Sequence, residues 1–185
     1  MAHRVCPWWF GYVLASPLRR LRQDPRAILS PFVRQGMTVL EPGPGMGFFT
    51  LELARLVGPD GRVIALDVQP RMLSALRRRA RRAGLEARIE TRVVSGETLG
   101  IGDVADRADF ALAFAMVHEV PDSARFFAEL AAALKRGARV LLAEPAGHVS
   151  APQFDDTLAT AARAGLVAER RPAIRSSHAA LLVKA

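Results

Sequence analysis

Cysteine is nearly absent from this sequence, since Cys6 is the only one in 185 residues. A single cysteine excludes an internal disulfide and any zinc site built from paired cysteines, and it suits a reducing compartment, so we expect a cytoplasmic protein. Long apolar runs are also missing, because no stretch approaches the ~20 residues that a transmembrane helix needs. The 4 histidines are scattered along the chain, so no metal site is predicted.

Lysine is scarce as well. Only Lys135 and Lys184 are lysines, and arginine supplies nearly all of the positive charge behind the formal net charge of +8. Arginine is densest between residues 71 and 82, where Met72 and Leu76 belong to an apolar series with helical spacing. We therefore interpret the arginines as the solvated face of an amphipathic helix. An RNA-binding surface is the alternative that this charge leaves open.

A glycine-rich loop follows the first predicted strand. The apolar run 37–40 ends at Glu41, and Gly43, Gly45 and Gly47 then occupy every second position before a helical pattern. Strand, glycine loop and helix is the order of a nucleotide-binding turn in an open α/β sheet, where glycine lets the backbone approach a ligand. The dinucleotide spacing G-x-G-x-x-G fails in either frame. The carboxylate of Glu41 suits a cationic ligand better than a phosphate.

The rest of the chain alternates between strand and helix patterns. A second strand, 62–67, ends at Asp67, about 20 residues after the last glycine, where an acid binds the ribose hydroxyls of an adenosine. No helical pattern separates the last two strands, so they must be antiparallel. We therefore predict an α/β fold with a Rossmann-like, doubly wound seven-stranded sheet whose last strand is antiparallel. The remaining strands are predicted at 87–94, 110–115, 138–143, 166–170 and 179–183, and helices at 70–83, from Asp122 to Gly137, and at 153–164.

Residues 1–36 precede the first strand and are predicted to form an N-terminal helical segment, with the main domain spanning 37–185. Short helices are expected near 17–22 and 25–30, because each begins at a capping residue followed by proline. Four aromatic residues suit a lid over an apolar or aromatic substrate: Trp8, Trp9, Phe10 and Tyr12. Packing on the sheet edge, or weak contact with a membrane surface, are the alternatives that this cluster leaves open.

Three stretches carry a resemblance to a known family. The loop of pattern acid-x-Gly-x-Gly-x-Gly resembles the S-adenosylmethionine loop of class I methyltransferases. Residues 114–122 (FAMVHEVPD) and 134–145 (LKRGARVLLAEP) resemble signatures of small-molecule methylases related to the ubiquinone/menaquinone group. The resemblance covers roughly residues 37–185 and implies methyl transfer from S-adenosylmethionine to a small molecule. It implies a set of cofactor-binding residues: Glu41, Gly43, Gly45, Gly47, Asp67, Val68, Gly96, Glu97 and Ala115.

The catalytic candidates follow the fourth predicted strand. His118 is the better general base, because the unperturbed pKa of histidine lies near neutrality. Glu119 beside it is the second candidate. The alternative is that this pair only orients the helix that follows. Glu144, which ends the fifth strand, is interpreted as structural.

Several motifs of other methylases are missing. There is no Asn-Pro-Pro-Tyr or Asp-Pro-Pro-Tyr after the fourth strand, no Pro-Cys nucleophile, and no cysteine pair of the kind expected of an arsenic methylase. These absences argue against nucleic acid as a partner and favour a small-molecule acceptor. An RNA methyltransferase and a non-catalytic S-adenosylmethionine-binding protein stay open as alternatives. The sequence gives neither the methylated atom nor the oligomeric state.

Overall fold

The computed structural model describes residues 23–185. Its strands form a seven-stranded sheet in the order β3-β2-β1-β4-β5-β7-β6. The last strand pairs antiparallel with both of its neighbours, β5 and β6. This arrangement confirms the predicted Rossmann-like α/β fold with an antiparallel last strand. The strands are β1 (Thr38–Pro42), β2 (Arg62–Asp67), β3 (Ile89–Val93), β4 (Ala108–Phe114), β5 (Leu134–Pro145), β6 (Leu166–Arg170) and β7 (Ser177–Lys184).

Helices alternate with these strands along the chain. Short 3₁₀ turns also occur at Glu86–Arg88, Gly102–Val104 and Val117–Glu119. Within residues 23–185, no helix is long and apolar enough to cross a membrane. The α-helices are α1 (Pro25–Leu29), α2 (Thr50–Leu56), α3 (Pro70–Arg82), α4 (Ser123–Ala133) and α5 (Ala151–Arg163).

The chain divides into two compact units, and the first contains described residues 23–94. Its strands β1, β2 and β3 are parallel. The helix predicted near 25–30 is confirmed as α1, because Asp24 Oδ1 accepts the Arg26 N–H at 2.9 Å and Pro25 follows the cap. The helix predicted near 17–22 and the aromatic cluster of the proposed lid lie outside the described residues.

The amphipathic reading of α3 is confirmed by its burial. Met72, Leu73 and Leu76 are each at most 4 % exposed. The helix ends before Gly84, whose φ of 66° is left-handed. One face of α3 therefore packs in the core of this unit, and the arginines stand on the other face.

The second unit contains residues 95–185 and the strands β4 to β7. Strands β4 and β5 are parallel, whereas β7 runs antiparallel to β5. Helix α5 begins at a capping box, in which the side chains of Ser150 and Gln153 each bond to the other residue's backbone N–H. These elements fix the carboxyl ends of β4 and β5, which carry the candidate catalytic residues.

The predicted end of α4 is wrong. The sequence pattern extends this helix to Gly137, but α4 ends at Ala133 and β5 begins at once with Leu134. Gly137 has a φ of 74° and lies where β5 is irregular: Ala108 pairs with Leu134, but Phe110 pairs with Arg139. The glycine therefore allows a bulge in a strand rather than the end of a helix.

Candidate functional site

The loop after β1 has the backbone geometry that its glycines predict. Gly43, Gly45 and Gly47 have φ values of 68°, 54° and 84°, in the left-handed region that favours glycine. The Gly43 N–H donates to Leu66 O at 2.8 Å and ties the loop to β2. A Cβ added at Gly47 would lie 2.3 Å from Leu76 Cδ1, whereas one added at Gly45 would meet no atom within 4 Å. A Cβ at Gly47 would therefore displace the end of the Leu76 side chain, whereas Gly45 borders open space.

Glu41 is a buried acid with an unpartnered oxygen. It is 3 % exposed, and neither its Oε2 nor the Thr50 Oγ1 has a hydrogen-bond partner within residues 23–185. Burial raises the pKa of Glu41 to about 8; the Thr50 hydroxyl partly opposes this rise, and the charge of Asp67 adds to it. The hydroxyl is thus close enough to act on the acid, although it makes no hydrogen bond of normal geometry. A buried polar group without a partner is costly, so this acid fits a ligand that donates to it.

Asp67 and Val68 follow the end of β2 in the same unit. Asp67 is 8 % exposed, and its Oδ1 accepts the Gln69 N–H at 2.8 Å, which helps to set the entry into α3. Val68, which follows Asp67 directly, is 36 % exposed. The strand end thus presents a carboxylate next to an accessible apolar side chain.

Gly96 and Glu97 lie in the second unit, in the segment that precedes β4. Gly96 has a φ of 88°, and Glu97 is exposed. The segment is fixed just beyond them, because the Glu129 carboxylate of α4 accepts the Thr98 hydroxyl at 2.9 Å and the Leu99 N–H at 2.6 Å. Contact of Gly96 or Glu97 with a cofactor stays a prediction.

A buried carboxylate holds His118 at the end of β4. Glu144 of β5 is 1 % exposed, its Oε1 accepts the Val117 N–H at 2.7 Å, and its Oε2 lies 2.5 Å from His118 Nδ1. The hydrogen bond to Glu144 raises the pKa of His118; burial opposes the rise, and the charges of Glu144 and Glu119 add to it. The imidazole is therefore a stronger base than an isolated histidine.

Glu119 and His148 flank the same imidazole. Glu119 Oε1 lies 3.9 Å from His118 Nε2, beyond hydrogen-bond distance. The His148 ring stacks on the His118 ring with centroids 6.0 Å apart and an interplanar angle of 24°. Both predicted catalytic residues thus lie in one cluster, and Glu144 and His148 join them there.

Ala115 lies at the bend that leads from β4 into this cluster. Its φ is 57°, a left-handed conformation that costs alanine about 1–2 kcal/mol. The Ala115 N–H donates to Ala143 O at 2.7 Å, which holds the bend against β5. Residues in such conformations cluster at functional sites. Nothing in the sequence marks this alanine as strained, because glycine is the residue expected there.

The pairing of Glu144 with His118 is the main feature that sequence reasoning missed. The only available signal was topological, since the two residues follow the carboxyl ends of strands that could be neighbours. Within the described residues, no group of three or more His, Cys, Asp or Glu side chains is arranged to hold a metal.

A glycine loop, acids that end β1 and β2, and an antiparallel last strand are together typical of an α/β domain that binds a nucleoside-containing ligand. A family model described as "Methyltransferase domain" matches residues 34–171. The chain therefore belongs to this methyltransferase family, and the predicted resemblance to class I S-adenosylmethionine-dependent methyltransferases is confirmed. Membership implies S-adenosylmethionine as the cofactor.

Curated relatives are similar over part of their length. The chain is 34 % identical over 110 residues to the arsenite methyltransferase of Halobacterium salinarum, covering 59 % of this chain and 27 % of the relative. It is 31 % identical over 112 residues to the ubiquinone/menaquinone biosynthesis C-methyltransferase UbiE of Klebsiella pneumoniae, covering 60 % of this chain and 44 % of the relative. The chain thus spans less than half the length of these proteins.

The fold is similar to that of a solved protein over nearly the whole chain. The crystal structure of a SAM dependent methyltransferase from Aquifex aeolicus matches with a TM-score of 0.88 and 22 % sequence identity. The match covers 98 % of this chain and 100 % of that one. At this identity the likeness describes the fold alone.

Proposed function

We propose that this chain binds S-adenosylmethionine and transfers its methyl group to a small molecule, with His118 as the general base. The observation that carries the proposal is the unpartnered Oε2 of Glu41, 3 % exposed at the end of β1. The methionyl part of S-adenosylmethionine carries an ammonium group, which is the donor that this oxygen lacks. A pyrophosphate would instead be repelled by the acid once it is ionised.

The neighbouring residues suit the rest of this cofactor. Open space beside Gly45 lets a ligand approach the backbone. Asp67 offers a carboxylate to the ribose hydroxyls, while Val68 offers an exposed apolar surface to the adenine ring. Glu41, the glycine loop and the pair Asp67 and Val68 follow one another along the chain, and this order is consistent with these roles.

His118 supplies the chemistry that belongs to the protein. The cofactor supplies a methyl group on a sulfonium, so no further activation of the leaving group is needed. His118 Nε2 takes the proton that the acceptor atom loses when it is methylated. The bound cofactor would supply the methyl group, and its sulfur would keep the electron pair of the broken carbon–sulfur bond. The Glu144 carboxylate, 2.5 Å from Nδ1, balances the charge that the imidazole gains.

The acceptor in this proposal is a small molecule rather than RNA. Three arginines of α3 bind the protein itself: Arg81 pairs with Glu86, Arg77 donates to Thr91 Oγ1, and Arg79 donates to a backbone carbonyl of the glycine loop. These contacts give part of the arginine cluster partners within the chain, which argues against a face reserved for nucleic acid. Salt-dependent binding of tRNA or rRNA would instead favour the RNA alternative. A cytoplasmic location and an apolar or aromatic acceptor remain part of the proposal.

Cofactor choice is tested by binding. Calorimetry of the purified chain should show binding of S-adenosylmethionine and of its demethylated product, and no binding of NAD. Gly45→Ala should abolish cofactor binding, because it places a Cβ beside the ligand. Gly84→Ala is the matched control, since Gly84 also has a left-handed φ, 66°, and open space for a Cβ, but lies at the end of α3. Preference for NAD, or equal binding by both variants, would refute the proposal.

Methyl transfer itself requires an acceptor. Incubating a cell extract with methyl-labelled cofactor and the chain, followed by mass spectrometry, should give a labelled product of low mass. His118→Asn should then lower kcat by about 10²–10⁴-fold while cofactor affinity stays nearly unchanged. Binding without any labelled product from a range of extracts would favour the non-catalytic alternative.

A further inference from the structure

Both oxygens of the buried Glu144 carboxylate are committed to the turn that carries His118. Oε1 accepts the Val117 N–H at 2.7 Å, and Oε2 lies 2.5 Å from His118 Nδ1. A carboxylate accepts hydrogen bonds, so this contact is satisfied when Nδ1 carries the hydrogen. We propose that Glu144 is a positioning residue, which holds the Nδ1–H tautomer of His118 and leaves Nε2 as the atom that receives a proton.

The surroundings of Nε2 agree with this assignment. Within residues 23–185, Nε2 makes no hydrogen bond, and Glu119 Oε1 is 3.9 Å away. The side chain of His118 is 28 % exposed, so the ring is accessible to a small molecule. Its other titratable neighbours are Glu144 across from Nδ1 and His148, whose ring stacks on it at 6.0 Å. The groups that face the ring thus fix one nitrogen and leave the other accessible.

A purely structural role for Glu144 would need its contact with the Val117 N–H but not its contact with His118. Its bond to the Val117 N–H already fixes the turn, and the register of β5 on β7 places Glu144 opposite His178. Helix α4, which follows the turn, has its own cap in Asp122, whose Oδ1 accepts the Arg125 N–H at 2.9 Å. The second oxygen of Glu144 therefore contacts the imidazole alone, and this is the arrangement that orients a base.

The proposal extends the function proposed above and rests on it only for turnover. Its direct test is the tautomer of His118, measured by ¹⁵N NMR of protein labelled at histidine, with the signal assigned through His118→Asn. At a pH above the pKa of His118, wild-type protein should show hydrogen on Nδ1 and none on Nε2. The opposite tautomer in the folded wild type would overturn the proposal, whether or not any variant folds.

Glu144→Gln gives the second test. The glutamine oxygen can still accept the Val117 N–H, but its amide then donates to Nδ1, so the tautomer of His118 should reverse and its pKa should fall. Once an acceptor is known, kcat should drop by about 10²–10⁴-fold at an unchanged KM, and the acid limb of the pH–rate profile should move to lower pH. Glu119→Gln is the matched control and should keep the wild-type tautomer.

The outcomes separate this proposal from the methyltransferase function. A Glu144→Gln protein that folds and keeps the wild-type tautomer and pKa of His118 would assign Glu144 to the turn alone. A reversed tautomer in a protein that binds no S-adenosylmethionine would leave the positioning role intact and refute the function instead. The NMR measurement needs neither cofactor nor acceptor, so the two results are independent.

Discussion

Replacing Glu41 by glutamine separates the effect of this acid on stability from its effect on cofactor binding. The side chain is 3 % exposed, and burial raises its pKa from 4.5 to about 8. Because the pKa of Glu41 is higher in the folded state, the contribution of this group to stability is fully present below pH 4.5. That contribution is lost as the pH rises from there towards 8. Each pH unit in this window costs about 1.4 kcal/mol, so the free energy of unfolding is lower by about 3 kcal/mol at pH 7.

Glutamine has nearly the same shape and no charge, so Glu41→Gln should escape this loss. The variant should match the wild type near pH 4.5 and exceed it by about 3 kcal/mol at pH 7, or about 6–12 °C in Tm for a chain of this size. Chemical denaturation of both proteins without cofactor, at half-unit steps of pH, measures the difference. Stability curves that stay parallel across this range would refute the assignment of a raised pKa to Glu41.

Cofactor binding should move in the opposite direction. If the ionised acid binds the methionyl ammonium, glutamine removes a charge-assisted bond worth about 1.5–3 kcal/mol, or about ten- to 150-fold in affinity. Binding to the wild type should release a proton below pH 8, which calorimetry in buffers of different ionisation enthalpy detects. Glu52→Gln is the control, because this buried acid of the same unit also has an unpartnered oxygen, Oε1, but its Oε2 pairs with Arg55 at 2.9 Å. Undiminished cofactor affinity in Glu41→Gln would refute the proposal that Glu41 binds the methionyl ammonium.

Substitutions at Asp67, at Asp122 with His118 for comparison, and at Ala115 test the other parts of the two units. Asp67→Ala should weaken cofactor binding by about ten- to 150-fold. Asp67→Asn should lose less affinity, because it keeps an acceptor for the Gln69 N–H. Wild-type affinity in both variants, measured by calorimetry, would show that Asp67 serves only the turn and not the cofactor. Asp122→Ala should lower the free energy of unfolding by about 1 kcal/mol in chemical denaturation, because it removes the cap of α4. His118→Asn should barely change that free energy. A larger loss in His118→Asn than in Asp122→Ala would assign the imidazole to packing. Ala115→Gly should raise stability by roughly 1 kcal/mol, because the φ of 57° costs alanine but not glycine, and a lower Tm would contradict this.

The sequence predicted best the elements whose ends are marked by local chemistry. The predicted bounds of β2 and β6 match the structure, because a turn before β2 and glycine before β6 mark where each begins. Other boundaries failed where two signals conflict. Gly137 is a normal helix terminator in sequence, but the pairing of Leu134 with Ala108 starts the strand earlier and leaves the glycine inside it. Local pattern cannot reveal that competition, because it depends on a residue far along the chain.

The candidate site was predictable in its residues but not in its connections. Their positions after predicted strands singled out Glu41, Asp67 and His118, and the structure places each at the end of a parallel strand or just after it. The bond from His118 to Glu144 joins residues 26 positions apart, and it depends on the register of β4 on β5. A single sequence contains no measurement of register, so the partner of His118 could only be guessed from topology.

Glu41 and Glu144 end different strands and are nearly equally buried, yet their surroundings differ in one decisive respect. Every oxygen of Glu144 has a donor from the chain, namely the Val117 N–H and the His118 ring. Glu41 keeps an oxygen that no described residue satisfies, and burial raises its pKa. Burying an acid without a partner destabilises a fold, and such strain persists where function requires it. The chain completes the hydrogen bonding of Glu144 and leaves that of Glu41 incomplete, which supports the proposed positioning role of Glu144 and the proposed cation-binding role of Glu41.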